Sequence, residues 1–219
     1  IGGGSTEVVL SSGGVTEQIS TLPLGAVRLT DRFGVSAPGD EQAFESMCKV
    51  IRKTIDKHLE KPTFTPQLLI GTGGTFTTLA GMAMNWDRAQ PHDRSSVAAN
   101  VRGYEIQRSM VKHLLGYLLS LTPKARAKVP GLSPERADII IAGVAIVDAV
   151  MRTLKVNTLR VHDRGIRDGL LLGMIREVYP QARQAAVAGP NRMNAVRQFA
   201  LSCNYEKAHS DHVTALAEQ

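Results

Sequence analysis

Two glycine clusters constrain this chain more than any other feature. They are Gly2-Gly3-Gly4-Ser5-Thr6 and Gly71-Thr72-Gly73-Gly74-Thr75. Glycine lacks a Cβ, so successive backbone N–H groups in such a run can converge on one point. Phosphate is compact and strongly negative, and it is satisfied by several donors at about 3 Å. The Ser and Thr hydroxyls add donors. The first cluster runs straight into the β-forming stretch Thr6 to Leu10. The second follows the short apolar stretch Gln67 to Ile70 and precedes a helical stretch, Phe76 to Met84. A helix N-terminus is favourable for an anion. A single glycine cluster reads equally well as a tight turn; two of like composition, each at a strand end, favour anion binding.

The glycine spacing excludes two common nucleotide motifs. Neither cluster ends in the Gly-Lys-Ser/Thr of a Walker loop. In the second, the third glycine of a dinucleotide fingerprint would fall at Phe76. The first leads into a strand instead of a helix, which also weakens a dinucleotide reading.

The rest of the chain reads as an α/β sequence. Thr6 to Leu10, Val15 to Leu22 and Ala26 to Thr30 are expected to form a meander of three strands, with Ser11-Ser12-Gly13-Gly14 as the first turn. From Asp40 the apolar period changes: Phe44, Met47, Cys48, Ile51, Ile55 and Leu59 mark an amphipathic helix that Pro62 and Pro66 end. Residues 85–100 are polar and aperiodic and read as a loop. Glu105 to Leu121 reads as a second amphipathic helix. Ser133-Pro134 opens a third, buried helix running to Leu154. Leu159 to Val161 is expected to be a strand and Ile166 to Val178 a final helix. The strands at 67–70 and 159–161 are each reached through helical crossovers, so they should lie parallel. Beyond Pro180 the chain turns polar, and residues 181–219 read as a linker helix plus the start of another domain.

Composition narrows the partners. Lys and Arg number 26 against 20 Asp and Glu, a net charge of +6, which leans towards an anionic partner. Aromatic residues are only 5%, and none interleave with basic residues as a base-stacking platform requires, so nucleic acid is an unfavoured partner. The two cysteines, Cys48 and Cys203, are far apart and lack metal-site spacing, which fits a reducing, cytoplasmic setting. The apolar run from Ile139 to Met151 is too short to span a bilayer and is interrupted by Asp148.

Several other residues invite roles that their surroundings do not support. His162 and Asp163 are neighbours on a strand and point to opposite faces, so they read as structural. His209, Asp211 and His212 lack the partners that a metal centre needs. Cys48 lies on an apolar helix face and reads as core. Asp148 reads as one wet position on a buried helix. Lys49, Arg52, Lys53 and Lys57 read as a solvated face.

The stretches "IGGGSTEVVL", "LPLGAVRLTDRF", "IGTGGTFTTLAGM", "PGLSPERADIIIAGVAIVDAVM" and "LRVHDRGIRDGLLLGMI" occur in that order. Together they resemble the exopolyphosphatase/guanosine pentaphosphate phosphohydrolase (Ppx/GppA) family, over Ile1 to about Tyr179. The resemblance implies an actin-like ATPase (ribonuclease H-like) lobe, an α/β fold whose mixed five-stranded sheet combines the three-strand meander with two parallel strands. It implies the second lobe of a two-lobed enzyme over residues 1–180, with residues 181–219 opening a truncated HD-like helical domain. The implied activity is Mg²⁺-dependent hydrolysis of terminal phosphoanhydride bonds in polyphosphate or pppGpp.

Residue by residue, the resemblance assigns phosphate binding to Gly2, Gly3, Gly4, Ser5 and Thr6, and to Gly71, Gly73, Gly74 and Thr75. Arg28 falls on the implied substrate path. The family motif carries a metal-binding aspartate before the isoleucine that is Ile1 here, and its general-base glutamate belongs to the first lobe. No catalytic or metal-binding residue is therefore assigned within this chain, which is expected to be inactive alone. His162 stands where the family commonly has Ser, and Asp168 where it has Glu. The resemblance further implies the first lobe and a second copy of the chain as partners. Two other readings stay open: a nucleotide-binding kinase or ATPase lobe of the same superfamily, and a non-catalytic anion-sensing or dimerisation lobe.

Overall fold

A computed structural model describes residues 1–13, 15–35, 38–87 and 101–178. Of the loop expected over 85–100, residues 85–87 instead end a helix, and 88–100 lie outside the described residues, as does the expected helical domain start over 181–219, with His209, Asp211, His212 and Cys203.

Strands β1 (Thr6–Ser12) and β2 (Val15–Leu22) pair antiparallel, with a register shift between Leu10 and Ser11. Thr6, Val8 and Leu10 point inward, whereas Val9 and Ile19 face solvent on the other side of the pair. That alternation is the period of a half-buried strand.

Ala26 to Thr30, expected as the third strand of a meander, instead forms helix α1 (Ala26–Phe33). Ala26 and Leu29 are buried while Val27, Arg28, Asp31 and Arg32 are exposed, which is a helical spacing and not an alternation. Gly34 ends the helix in the left-handed region (φ 60°), and its N–H donates to Thr30 O at 2.8 Å. A glycine just past the last turn is a helix stop signal. The β-branched and apolar look of "AVRLT" outweighed that signal in the sequence reading.

Helix α2 (Glu41–His58) buries Met47, Ile51 and Ile55 as its period requires. Strand β3 (Leu69–Thr72) leads through the second glycine cluster into helix α3 (Gly74–Asp87). Residues 105–107, expected to open a helix, form strand β4 (Glu105–Gln107), and helix α4 (Arg108–Ser120) follows at once. Three residues are too few to show a period of their own. A short helix α5 (Pro123–Arg126) follows; Thr122 caps it, its Oγ1 accepting from Ala125 N. The helix expected from Ser133 begins as a single 3₁₀ turn (Pro134–Arg136), and regular helix α6 (Ile140–Thr153) starts later. Strand β5 (Thr158–His162) comes next.

The expected single five-stranded sheet is therefore two sheets. One is the β1–β2 hairpin; the other has the order β3-β5-β4. Within it β3 and β5 are parallel, as their helical crossovers require, and β4 joins the far edge of β5 antiparallel. Helix α6 is the centre of the core. Every residue from Ile140 to Val147 is buried, and α1, α2, α3 and α4 all pack on it. Gly143 permits close contact there: a Cβ at that position would lie 2.7 Å from Thr75 Cγ2.

The chain divides into two compact units, Ile1–Gly165 and Ile166–Gln219. The described part of the second is helix α7 (Ile166–Val178), over the range its apolar spacing predicts. No helix among the described residues is long and apolar enough to cross a membrane.

Candidate functional site

The first unit brings the two glycine clusters together. A Cβ built on Gly73 would meet Ile1 O at 3.7 Å. Each cluster reaches this meeting point by a different local device.

The first cluster is a folded loop seated on the start of α1. Gly2 N–H donates to Ser5 O at 2.8 Å, which closes the loop. Its carbonyls turn towards the helix: Ala26 N–H donates to Gly2 O at 2.9 Å and Arg28 N–H to Gly3 O at 3.0 Å. This satisfies helix N-terminal donors that no earlier turn can serve. The seat is tight, because a Cβ on Gly25 would fall 2.1 Å from Gly3 O. Thr6 is buried, and its hydroxyl donates to Leu24 O at 2.7 Å. Ser5 donates its hydroxyl to Glu7 at 2.6 Å. Thr6 therefore anchors the loop, while Gly2, Gly3 and Gly4 stand exposed. Among the described residues no acceptor meets the N–H groups of Gly3 and Gly4.

Arg28, on α1, lies beside this loop. It lines an open hollow of about 650 Å³ with Gly3, Gly4, Val27, Asp31 and Arg32. Arg32, one turn on from Arg28, was not singled out from sequence; the helical spacing that places it there was hidden by the strand reading. Its guanidinium also lies 5.1 Å from the Phe33 ring centroid.

The second cluster is a strand-to-helix turn. Gly73 has φ +100°, a conformation that glycine adopts without strain. Its carbonyl accepts from Phe76 N–H and Thr77 N–H, both at 3.1 Å. Gly71 is buried under Phe76, since a Cβ there would meet that ring at 2.2 Å. Thr75 is buried against Gly143 of α6. Gly71 and Thr75 thus position the loop from beneath, and Thr72 and Gly73 form its exposed crest.

Two further contacts brace this crest. Thr72 Oγ1 donates to Arg164 O at 2.5 Å, and Arg164 N–H donates to His162 Nδ1 at 3.0 Å. His162 thus acts as an acceptor for the N–H two residues on, as a Ser hydroxyl does in a turn. The Asp163 carboxylate accepts a bidentate pair from Arg102 at 2.7 and 3.0 Å. That pairing holds the Asp163 carboxyl below its ordinary range. Strand β5 ends at His162 and the Asp163 carboxylate lies 3.9 Å from His162 Nδ1, so the two side chains are not on opposite faces of a strand as expected; both are taken up by local contacts.

The second brace is Arg136, from the 3₁₀ turn before α6. A Cβ on Gly74 would lie 2.1 Å from its guanidinium. Gly74 is the first residue of α3, so the guanidinium and the positive helix end reinforce each other there. Arg136 also lines a cleft of about 850 Å³ shared with Thr77, Lys128 and Asp163. Sequence reading missed Arg136 because nothing in "LSPERAD" links it to a loop so far away in the chain.

Ile1, which opens the first loop, thus approaches Gly73 of the second, with Arg28 and Arg32 beside the first loop and Arg136 on the second. This arrangement can hold a multiply charged anion through backbone donors and guanidinium groups. A cation is a different matter. Among the described residues no three His, Cys, Asp or Glu side chains gather closely enough to hold a metal ion. The described donors do not by themselves fit a bound Mg²⁺.

The chain is similar to known proteins over most of its length. Residues 1–178 match the model of the Ppx/GppA phosphatase family. Exopolyphosphatase 1 of Mycobacterium tuberculosis is 30% identical over 185 residues, covering 78% of this chain and 48% of that protein. The guanosine-5'-triphosphate,3'-diphosphate pyrophosphatase of Vibrio parahaemolyticus is 23% identical over 220 residues, covering 100% of this chain and 41% of that protein. Among solved structures, the Aquifex aeolicus Ppx/GppA family member superposes with a TM-score of 0.66 at 29% identity, over 80% of this chain and 54% of that one. The chain spans about half the length of the curated relatives it matches.

Proposed function

Because the chain belongs to the Ppx/GppA phosphatase family, we propose that its glycine loops are the phosphate grip of an enzyme that hydrolyses terminal phosphoanhydride bonds, in polyphosphate or pppGpp. The observation that carries this reading is the approach of Gly73 to Ile1, which sets the two donor loops side by side. The names of the relatives, an exopolyphosphatase and a pppGpp pyrophosphatase, support the substrate class.

In this reading Gly3 and Gly4 N–H groups hold oxygens of the terminal phosphate. Gly73, Gly74 and the start of α3 meet it from the other side. Arg28 and Arg136 offset charge that builds on the phosphoryl oxygens as the bond to the leaving phosphate breaks. Donors fixed before the reaction stabilise that charge without reorganising, which is how such sites lower a barrier. Ser5, Thr6, Gly71 and Thr75 hold the loops in shape.

The grip provides no group that activates water. Mg²⁺ and the carboxylates that hold it belong, in this proposal, to the first lobe and to the aspartate that precedes the glycine triplet in the family motif. Residues 1–219 alone should therefore bind phosphate chains weakly and release little phosphate.

The test is phosphate release from polyphosphate and from pppGpp, by this chain and by the chain joined to a first lobe. The reading expects activity only in the joined protein, and loss of it when Gly4 is changed to Val. Equal activity with and without the first lobe would overturn the division of labour. Full activity in Gly4→Val would overturn the grip.

A further inference from the structure

Away from the glycine loops, helices α2, α4 and α6 enclose a slot of about 290 Å³. Its floor is apolar, with Ile51, Leu115 and Ala145 buried, one from each helix. Its rim is basic. Arg52, Lys112 and Arg152, again one from each helix, are exposed around the mouth.

Among the described residues the one carboxylate lining the slot is that of Asp148, and Arg108 pairs with it at 2.9 Å. Among the described residues no carboxylate lies within salt-bridge distance of Arg52, Lys112 or Arg152. Three like charges gathered from three helices repel one another, and a single anion relieves that repulsion. The floor offers an inorganic phosphate chain no donors, whereas it suits hydrocarbon. The volume sits at the lower end of ligand pockets and is too small for a partner helix.

We propose that this slot binds a medium-chain carboxylate, with the hydrocarbon tail on Ile51, Leu115 and Ala145 and the carboxylate held by Arg52, Lys112 and Arg152. The proposal is independent of the phosphate grip, because the slot shares no residue with it. Cys48 lines the slot and is half-buried, so its thiol reports occupancy. Burial raises the thiol's pKa while the charge of Arg52 opposes the rise, which keeps a neutral thiol beside the tail.

The test uses decanoate as the probe, with residues 1–219 carrying Cys203→Ser. Calorimetry measures decanoate binding, and a neutral maleimide measures the rate of Cys48 alkylation. The expected result is saturable binding that slows alkylation, with decanol and butyrate each doing far less. Gly116 lines the slot, and a Cβ there has nothing within 4 Å. Gly116→Leu should fill the slot without unfolding the helix, abolishing decanoate binding while the melting temperature holds. Lys112→Gln with Arg152→Gln should weaken decanoate about tenfold. Absence of decanoate binding would overturn the proposal. Equal binding of decanol, or unchanged decanoate affinity in the charge variant, would overturn the carboxylate assignment.

Discussion

His162 shows how a single acceptor can set a loop. Its Nδ1 orients the Arg164 N–H, and the Arg164 carbonyl in turn holds the Thr72 hydroxyl on the crest of the second glycine loop. A hydrogen bond of this kind contributes about 1 kcal/mol, or about fivefold in an equilibrium constant. His162→Ala should therefore weaken tripolyphosphate binding about fivefold by calorimetry. His162→Asn, whose Oδ1 can accept the same N–H, should keep most of the affinity. Equal loss in both variants would show that the acceptor is not what matters. Arg126 is a second residue with a defined duty. It is 1% exposed and donates to the carbonyls of Ala137 at 3.0 Å and Leu121 at 3.2 Å. Arg126→Met leaves those carbonyls without their donor, and should lower unfolding stability by about 3 kcal/mol in urea titration. A change under about 1 kcal/mol would mean that neighbouring groups or water replace it.

Among the elements, α1 joins fold to site, because its first N–H groups take the carbonyls of the first glycine loop. Gly34 at its end and Gly116 inside α4 separate a stop signal from ordinary helix propensity. Gly34 needs a positive φ, so Gly34→Ala should cost about 1 kcal/mol. Gly116 lies inside α4 with free space around it, so Gly116→Ala should add slightly under about 1 kcal/mol. Chemical denaturation of both variants checks the pair; the same sign for both would refute the assignment of α1. Periodicity made α2 legible, with Met47, Ile51 and Ile55 at helical spacing. It misread α1, whose opening residues Ala26 to Thr30 are apolar and β-branched enough to pass for a strand. It also absorbed β4 into the helix that follows, because three residues show no period. The glycine loops were legible from composition alone. Arg136 was not, because its place on Gly74 depends on how the turn before α6 meets the start of α3, which no local pattern states.

On the scale of the first unit, two sheets and a buried central helix hold together one loop from its start and one from near its middle. Loop 1 rests on α1, loop 2 on α3 and β5, and α6 packs beneath both helices. The account stands or falls on those loops acting as one grip. Titration of tripolyphosphate into ¹⁵N-labelled protein, followed through the backbone amides, tests this directly. The amides of Gly3, Gly4, Gly73 and Gly74 should all shift, and should do so with one shared dissociation constant. Shifts confined to one loop, or two loops titrating with different constants, would contradict it.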